Sequence, residues 1–154
     1  MSKSTVKLDY KQLEDLKKKL ETVCDETQTD KFMRSCAKEL AARLLAKVIK
    51  RTPVGQYAHR TGGTLRRGWT GGAKADGTAY AQSLPIQRTG NDYVIEIINP
   101  VEYASYVEFG HRTANLKGWV EGRFMLTVSE KEIQNAAPKI LEKKVLDYLK
   151  GALK

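Results

Sequence analysis

The chain has 154 residues, 41% of them hydrophobic and 29% charged, and carries a formal net charge of +9. A chain of that length is expected to form one domain (1–154) able to bury a core without disulfides or metal. No apolar run approaches the roughly 18–20 residues that span a bilayer, and the start Met1-Ser2-Lys3-Ser4-Thr5 has no apolar signal region, so an unprocessed cytosolic protein with no membrane partner is expected. The two cysteines, Cys24 and Cys36, are too few for a disulfide framework. Only His59 and His111 could join them around zinc, and no close-spaced ligand pair exists; neither metal nor any other cofactor is expected. The basic excess attracts polyanions or an acidic partner, although Lys17-Lys18-Lys19 and Lys143-Lys144 also read as solvated helix faces.

Residues 8–23 repeat Leu8, Leu13, Leu16, Leu20 and Val23 at helical spacing. A polar connection follows over 24–29, and Asp30 is expected to cap the next helix. That helix is the clearest element: Phe32, Met33, Cys36, Ala37, Leu40, Ala41, Leu44, Leu45, Val48 and Ile49 form one stripe to be buried. Cys36 is then a small core residue. Lys47, Lys50 and Arg51 suit the negative end of the helix dipole, and Pro53 stops the helix.

Residues 53–63 read as a polar, glycine-containing loop, and 64–72, 77–88 and 92–99 as strands. Gly71-Gly72 and Gly90-Asn91-Asp92 supply turns between antiparallel neighbours, and Pro85 demotes the middle strand to an edge or a bulge. A short helix is expected over 101–109 and a loop over 110–119. A helix then runs from about Val120, with Ile133, Ala137, Ile140, Leu141, Val145, Leu146 and Leu149 on its stripe and a break or kink at Pro138. The fold class is α+β: a small antiparallel sheet of three to four strands packed against two long helices, with extended loops.

Catalysis finds little support. His59 and His111 are the natural acid–base candidates, but each neighbours an arginine and neither has a carboxylate close in sequence to orient it. No nucleophile elbow, phosphate loop or zinc helix occurs. Gly62-Gly63 leads from a helix into an expected strand, the reverse of a phosphate loop. The chain is therefore expected not to be an enzyme.

Contact surfaces are better supported. Arg60, Arg66 and Arg67 cluster in sequence with Trp69 and Tyr57, and Arg88, Arg112 and Lys117 could extend the patch. Arginine beside aromatics suits phosphates and unstacked bases, and equally the anchors of protein interfaces. On a strand, Leu65, Arg67 and Trp69 share one face and Arg66 the other. Tyr103, Tyr106 and Phe109 serve either core or interface. Glu108 among them needs an arginine or backbone N–H partner, from this chain or a neighbour.

The order Thr52-Pro53-Val54, then Thr61-Gly62 with Leu65-Arg66 and Trp69, then Tyr103-Ala104-Ser105-Tyr106-Val107-Glu108-Phe109-Gly110 resembles the phage tail-completion or minor tail family typified by the gene-ten product of a lambda-like coliphage. Arg123-Phe124-Met125 is similar to the Phe-containing start of that family's final helix, although the proline often found before its Phe is missing. The likeness covers roughly residues 30–150; Gly55 to Arg60 stand as an insertion where the family runs almost directly from Thr-Pro-Val into Thr-Gly. The resemblance implies a structural virion protein of the head–tail junction, assembled in the host bacterial cytoplasm. It implies a homo-oligomeric ring, six subunits by expectation, between connector or neck proteins and the tail terminator or tail tube. Arg66, Trp69, Tyr103, Tyr106, Glu108 and Phe109 would anchor interfaces. Arg60, Arg67, Arg88, Arg112 and Lys117 would face DNA crossing the channel in transient, non-specific contact. A free non-specific nucleic-acid-binding module is the alternative.

Overall fold

The structure, a computed structural model, describes residues 10–72 and 76–154. In chain order it comprises α1 (Tyr10–Val23), α2 (Glu26–Arg51), α3 (Thr64–Gly68), α4 (Gly77–Ser83), β1 (Gln87–Thr89), β2 (Asp92–Val94), α5 (Ala104–Phe109), β3 (Gly110–Arg112), β4 (Trp119–Glu121) and α6 (Met125–Ala152). The α+β class holds. The single sheet of three to four strands does not: two separate antiparallel hairpins, β1–β2 and β3–β4, stand in its place.

The long helix α2 is the scaffold. It starts at Glu26 rather than after Asp30, because the Asp25 carboxylate caps it, accepting from the backbone N–H groups of Thr27 (3.1 Å) and Gln28 (3.3 Å). Cys36, Ala41, Leu45 and Val48 of its expected stripe are buried, Leu45 and Val48 completely, while Phe32, Ala37, Leu40, Leu44 and Ile49 are half-buried and Met33 is exposed. Burial pushes the Cys36 thiol pKa up.

Two expected strands are helical over 64–68 and 77–83, and only the end of the second, Gln87-Arg88, pairs as a strand. Over 64–68 the alternation Leu65, Arg67, Trp69 fits a strand, but Leu65 and Trp69 are also four apart and share one helix face. Both are buried together in the core. Over 77–83 the small residues Gly77 and Ala81 have the same spacing; a Cβ at Gly77 would lie 3.2 Å from Leu45 Cβ, so α4 packs closely on α2. The Asp76 carboxylate caps α4 at its start. At its end the Lys38 ammonium donates to the carbonyls of Ala81 (3.0 Å), Gln82 (2.9 Å) and Leu84, where a cation suits the dipole. Pro85 therefore follows a helix instead of bending a strand.

The alternation expected over 92–99 is real, but the ladder is not as long. Tyr93, Ile95, Ile97 and Asn99 turn inward and Val94, Glu96 and Ile98 outward, yet only 92–94 pair, because β1 offers three residues: Gln87 faces Val94 and Thr89 faces Asp92.

The last helix begins at Met125, not Val120, and runs through Pro138. Both Pro138 and Gln134, whose carbonyl the proline cannot serve, are exposed, leaving that carbonyl to solvent. Helix α6 is clamped to α2 by Glu132, which binds Lys47 (2.7 Å) and Arg51, and by Lys144, which reaches Glu39 (2.8 Å). Phe32 stacks on Tyr148 with ring centroids 4.6 Å apart. Helix α1 confirms the expected element over its described part; the expected start at Leu8 lies outside the described residues. Its stripe is not buried, since Leu13, Leu16 and Leu20 are exposed.

Candidate interaction surfaces

The residues expected to form contact surfaces separate into an inward and an outward set. Thr52 organises the inward one. It ends α2, is fully buried, and donates its hydroxyl to the Val48 carbonyl (2.6 Å). The same hydroxyl accepts the Trp69 indole N–H (2.8 Å), and the Thr52 carbonyl accepts both Nε (3.1 Å) and Nη2 (2.7 Å) of Arg66. Trp69 is only 4% exposed. It lies in the core, and Arg66 is half-buried as a cap on α2, so neither side chain is free on the subunit surface as the strand reading would have it. A Cβ at Gly68 would collide with Asn99 Oδ1, while Asn99 donates to the Leu65 carbonyl (2.8 Å). Thus the Leu-Arg-x-Gly-Trp run ties the end of α2 to the segment entering α5.

Glu108 is also internal, 6% exposed. Of its two expected partner types it takes backbone N–H groups of its own chain. Its carboxylate accepts from Leu126 N (2.9 Å), Thr127 N (2.9 Å) and Thr127 Oγ1 (2.7 Å). Phe124, in the N-cap position with φ 47°, offers no side-chain cap, so Glu108 satisfies the orphan donors of α6 from another element. Arg123 N and Phe124 N bond back to the Val107 and Glu108 carbonyls.

The outward set lies on the other side of the same short helix. Tyr103, Tyr106 and Phe109 are exposed, Phe109 by 61%. The expected loop 110–119 contains a hairpin, with Gly110 facing Glu121 and Arg112 facing Trp119. It adds exposed Leu116, Trp119 and Val120 to these aromatics, and His111 meets Tyr106 edge-on at 5.8 Å. These three apolar residues were not among the expected contacts. The readable signal was Trp119-Val120-Glu121 set between Gly118 and Gly122.

The five cations expected to face DNA do not share one patch. Arg88 is bound by Asp30 (3.0 Å) and lies near Glu26 (3.6 Å), at the start of α2. Arg67 donates to the Gly62 carbonyl (3.2 Å) near the end of α2. Asp30 and Thr52 stand roughly 33 Å apart at the helical rise of about 1.5 Å per residue. Arg60 is exposed, its guanidinium 4.1 Å from the Tyr57 ring centroid. Arg112 and Lys117 are exposed on the second hairpin. Asp30 also accepts from Arg34 (2.7 Å) and the Tyr93 hydroxyl (2.8 Å), and these bonds hold its pKa below the ordinary value.

Neither histidine is placed for proton transfer to a nucleophile: His111 Nδ1 lies 2.8 Å from the Arg112 carbonyl, and His59 is exposed in the loop. Among the described residues no cluster of three His, Cys, Asp or Glu could hold a metal, and no helix is long and apolar enough to cross a membrane.

The loop between α2 and α3 explains how extra residues fit. A Cβ at Gly62 would collide with the Gly55 carbonyl oxygen, so the segment 55–62 leaves and returns at nearly the same point. The motifs on either side keep their mutual contacts. Comparison with known families then decides the kinship: the family described as "Bacteriophage HK97-gp10, putative tail-component" matches residues 14–110, well over half of the chain. The chain belongs to the HK97-gp10-like family. The match begins within α1 and ends at Gly110, so the region akin to this family starts earlier than residue 30, and the match leaves β4 and α6 outside. No curated protein and no solved structure matches the chain.

Proposed function

We propose that this HK97-gp10-like chain is a non-enzymatic structural protein of a phage tail that completes the head–tail junction. In this reading copies form a ring, six by family expectation, between connector or neck proteins and the tail terminator or tail tube. DNA passes through it, and the protein resides in the virion neck after assembly in the host bacterial cytoplasm. The observation that carries the reading is the set of exposed aromatics on and around α5 and on the second hairpin: Tyr103, Tyr106, Phe109 and Trp119 are each exposed on a chain whose kinship is with tail components. Exposed aromatic clusters of this kind suit buried interfaces.

The test is deletion and complementation. Particles lacking the protein are expected to accumulate as unjoined heads and tails, and a cryo-EM map of the complemented neck to show a closed ring of this chain. Its absence from purified particles would overturn the proposal.

Free nucleic-acid binding draws on Arg60 over Tyr57 and on Arg112 and Lys117. Separation of the five cations weakens it. A binding titration separates the two: a free nucleic-acid module loses affinity steeply as salt rises, whereas a channel protein shows only weak binding at any physiological salt.

A further inference from the structure

We infer that the hairpin over residues 110–121 is a preformed docking arm, seated in the assembled ring on the apolar groove beside α5 of the adjacent copy. This deepens, and rests on, the ring reading above.

The arm is locked at its base. A Cβ at Gly110 would strike the Val120 carbonyl oxygen, and one at Gly122 would strike the Glu108 carbonyl oxygen. Backbone thus meets backbone on both sides of the hairpin's root, and Gly110 itself has φ 85°. The tip is built by its own bonds: Thr113 N donates to the Gly118 carbonyl (3.0 Å), Gly118 N to Thr113 Oγ1 (3.0 Å), Lys117 N to Asn115 Oδ1 (3.1 Å) and Leu116 N to the Thr113 carbonyl (2.8 Å).

What this construction presents at its tip is apolar and faces solvent. Leu116 takes the left-handed conformation, φ 58°, which disfavours a branched side chain, and is 70% exposed. Trp119 and Val120 on β4 are exposed as well, on opposite faces of the strand, the Trp119 ring lying against Gly110 at the root. A fixed apolar arm loses little freedom on docking, which favours association.

The groove has a volume of about 380 Å³ and lies between the 97–99 segment, α5 and the start of α6; Ile98, Phe109 and Leu126 line it, and Glu130 stands at its rim. Among the described residues Glu130, Arg112 and Lys117 form no ion pair. A basic, apolar arm therefore complements an apolar, acidic-rimmed groove. The tip stands roughly 13 Å beyond α5 at about 3.3 Å per strand residue, and its locked base keeps it from folding back into its own groove. Arm and groove are different patches, the head-to-tail pairing that closes into rings.

The test uses the full chain with Cys24→Ser, so that engineered thiols react alone, Cys36 being buried. Subunits carrying L116C are mixed with subunits carrying I98C and treated with a short bis-maleimide across a concentration series, while sedimentation reports assembly. A mixed L116C–I98C dimer dominating over either like pair is expected. Leu116→Asp is expected to raise the concentration needed for assembly tenfold or more with the helical circular dichroism unchanged. Oligomers with no mixed cross-link, or with arm-to-arm links only, overturn the arm and leave the ring reading standing. If the isolated chain is a monomer at every concentration, the same cross-linking is read in purified particles carrying both variants, where absence of the mixed link overturns the arm. The ring reading falls only if the complemented neck shows no ring of this chain.

Discussion

Thr52–Trp69 and Tyr103–Gly110 look alike in sequence: each mixes glycine, aromatics and a charged group. The structure uses them in opposite directions. The first turns its two ends inward, with Thr52, Arg66 and Trp69 joined by hydrogen bonds at the end of α2, and leaves the intervening loop 53–61 exposed. The second is divided along a single short helix, Glu108 turning in to cap α6 while Tyr106 and Phe109 turn out. A recurring aromatic or charged residue is therefore not by itself a surface marker. What separates the two is whether the polar atoms find partners within the chain.

Substitutions should keep that contrast or erase it. Trp69→Ala removes a buried ring and leaves the Thr52 hydroxyl without its donor; a loss of about 3–5 kcal/mol is expected in urea unfolding. A loss below about 1 kcal/mol would place Trp69 outside the core. Leu45→Ala, at the centre of α2, is expected to cost about 2–5 kcal/mol by the same assay. Glu108→Ala should cost about 1–3 kcal/mol by orphaning the first N–H groups of α6, with Glu108→Gln recovering part of it. If both leave stability intact but prevent assembly, Glu108 belongs with the outward set.

The pH response probes the ion-paired framework. Asp30, Glu39 and Glu132 each have a pKa held down, chiefly by side-chain bonds from Arg34, Lys144 and Lys47 respectively. Their folded values lie below the ordinary 3.8 for Asp30 and 4.5 for the two glutamates. The stability they contribute is complete above those ordinary values and is lost as pH falls through the depressed ones. Thermal melts are expected to drop in that acidic window, and less so in Glu39→Gln. The smallest effect on folding belongs to the outward set: Phe109→Ser should change stability by no more than about 0.5 kcal/mol while impairing head–tail joining in complementation.

How legible this was depended on the length of each element. Helices α1, α2 and α6 were readable because their stripes repeat over several turns, and Cys36 fell into place with them. The segment 64–68 was not, since a single turn cannot distinguish the alternation Leu65-Arg67-Trp69 from the i,i+4 pair Leu65–Trp69. The second hairpin was missed because each of its strands has three residues and its pairing crosses a tip held by side-chain bonds. Asp30 was read as a cap because nothing local reveals Arg88 and Tyr93 as its partners. The Lys143-Lys144 run read as solvated, yet Lys144 bonds Glu39 more than a hundred residues earlier. Glu108 was legible only as a demand: a carboxylate among rings needs donors, and the fold decided which.

The pinched loop over 55–62 has a practical use. Its two ends touch, so chain length there is decoupled from the contacts made by Thr52, Arg66 and Trp69. Added residues raise loop-closure entropy only slowly. A small epitope spliced in at Tyr57–His59, where every residue is exposed, would mark the subunit in electron micrographs without touching the core, and its radial position would report which side of α3 faces the particle axis.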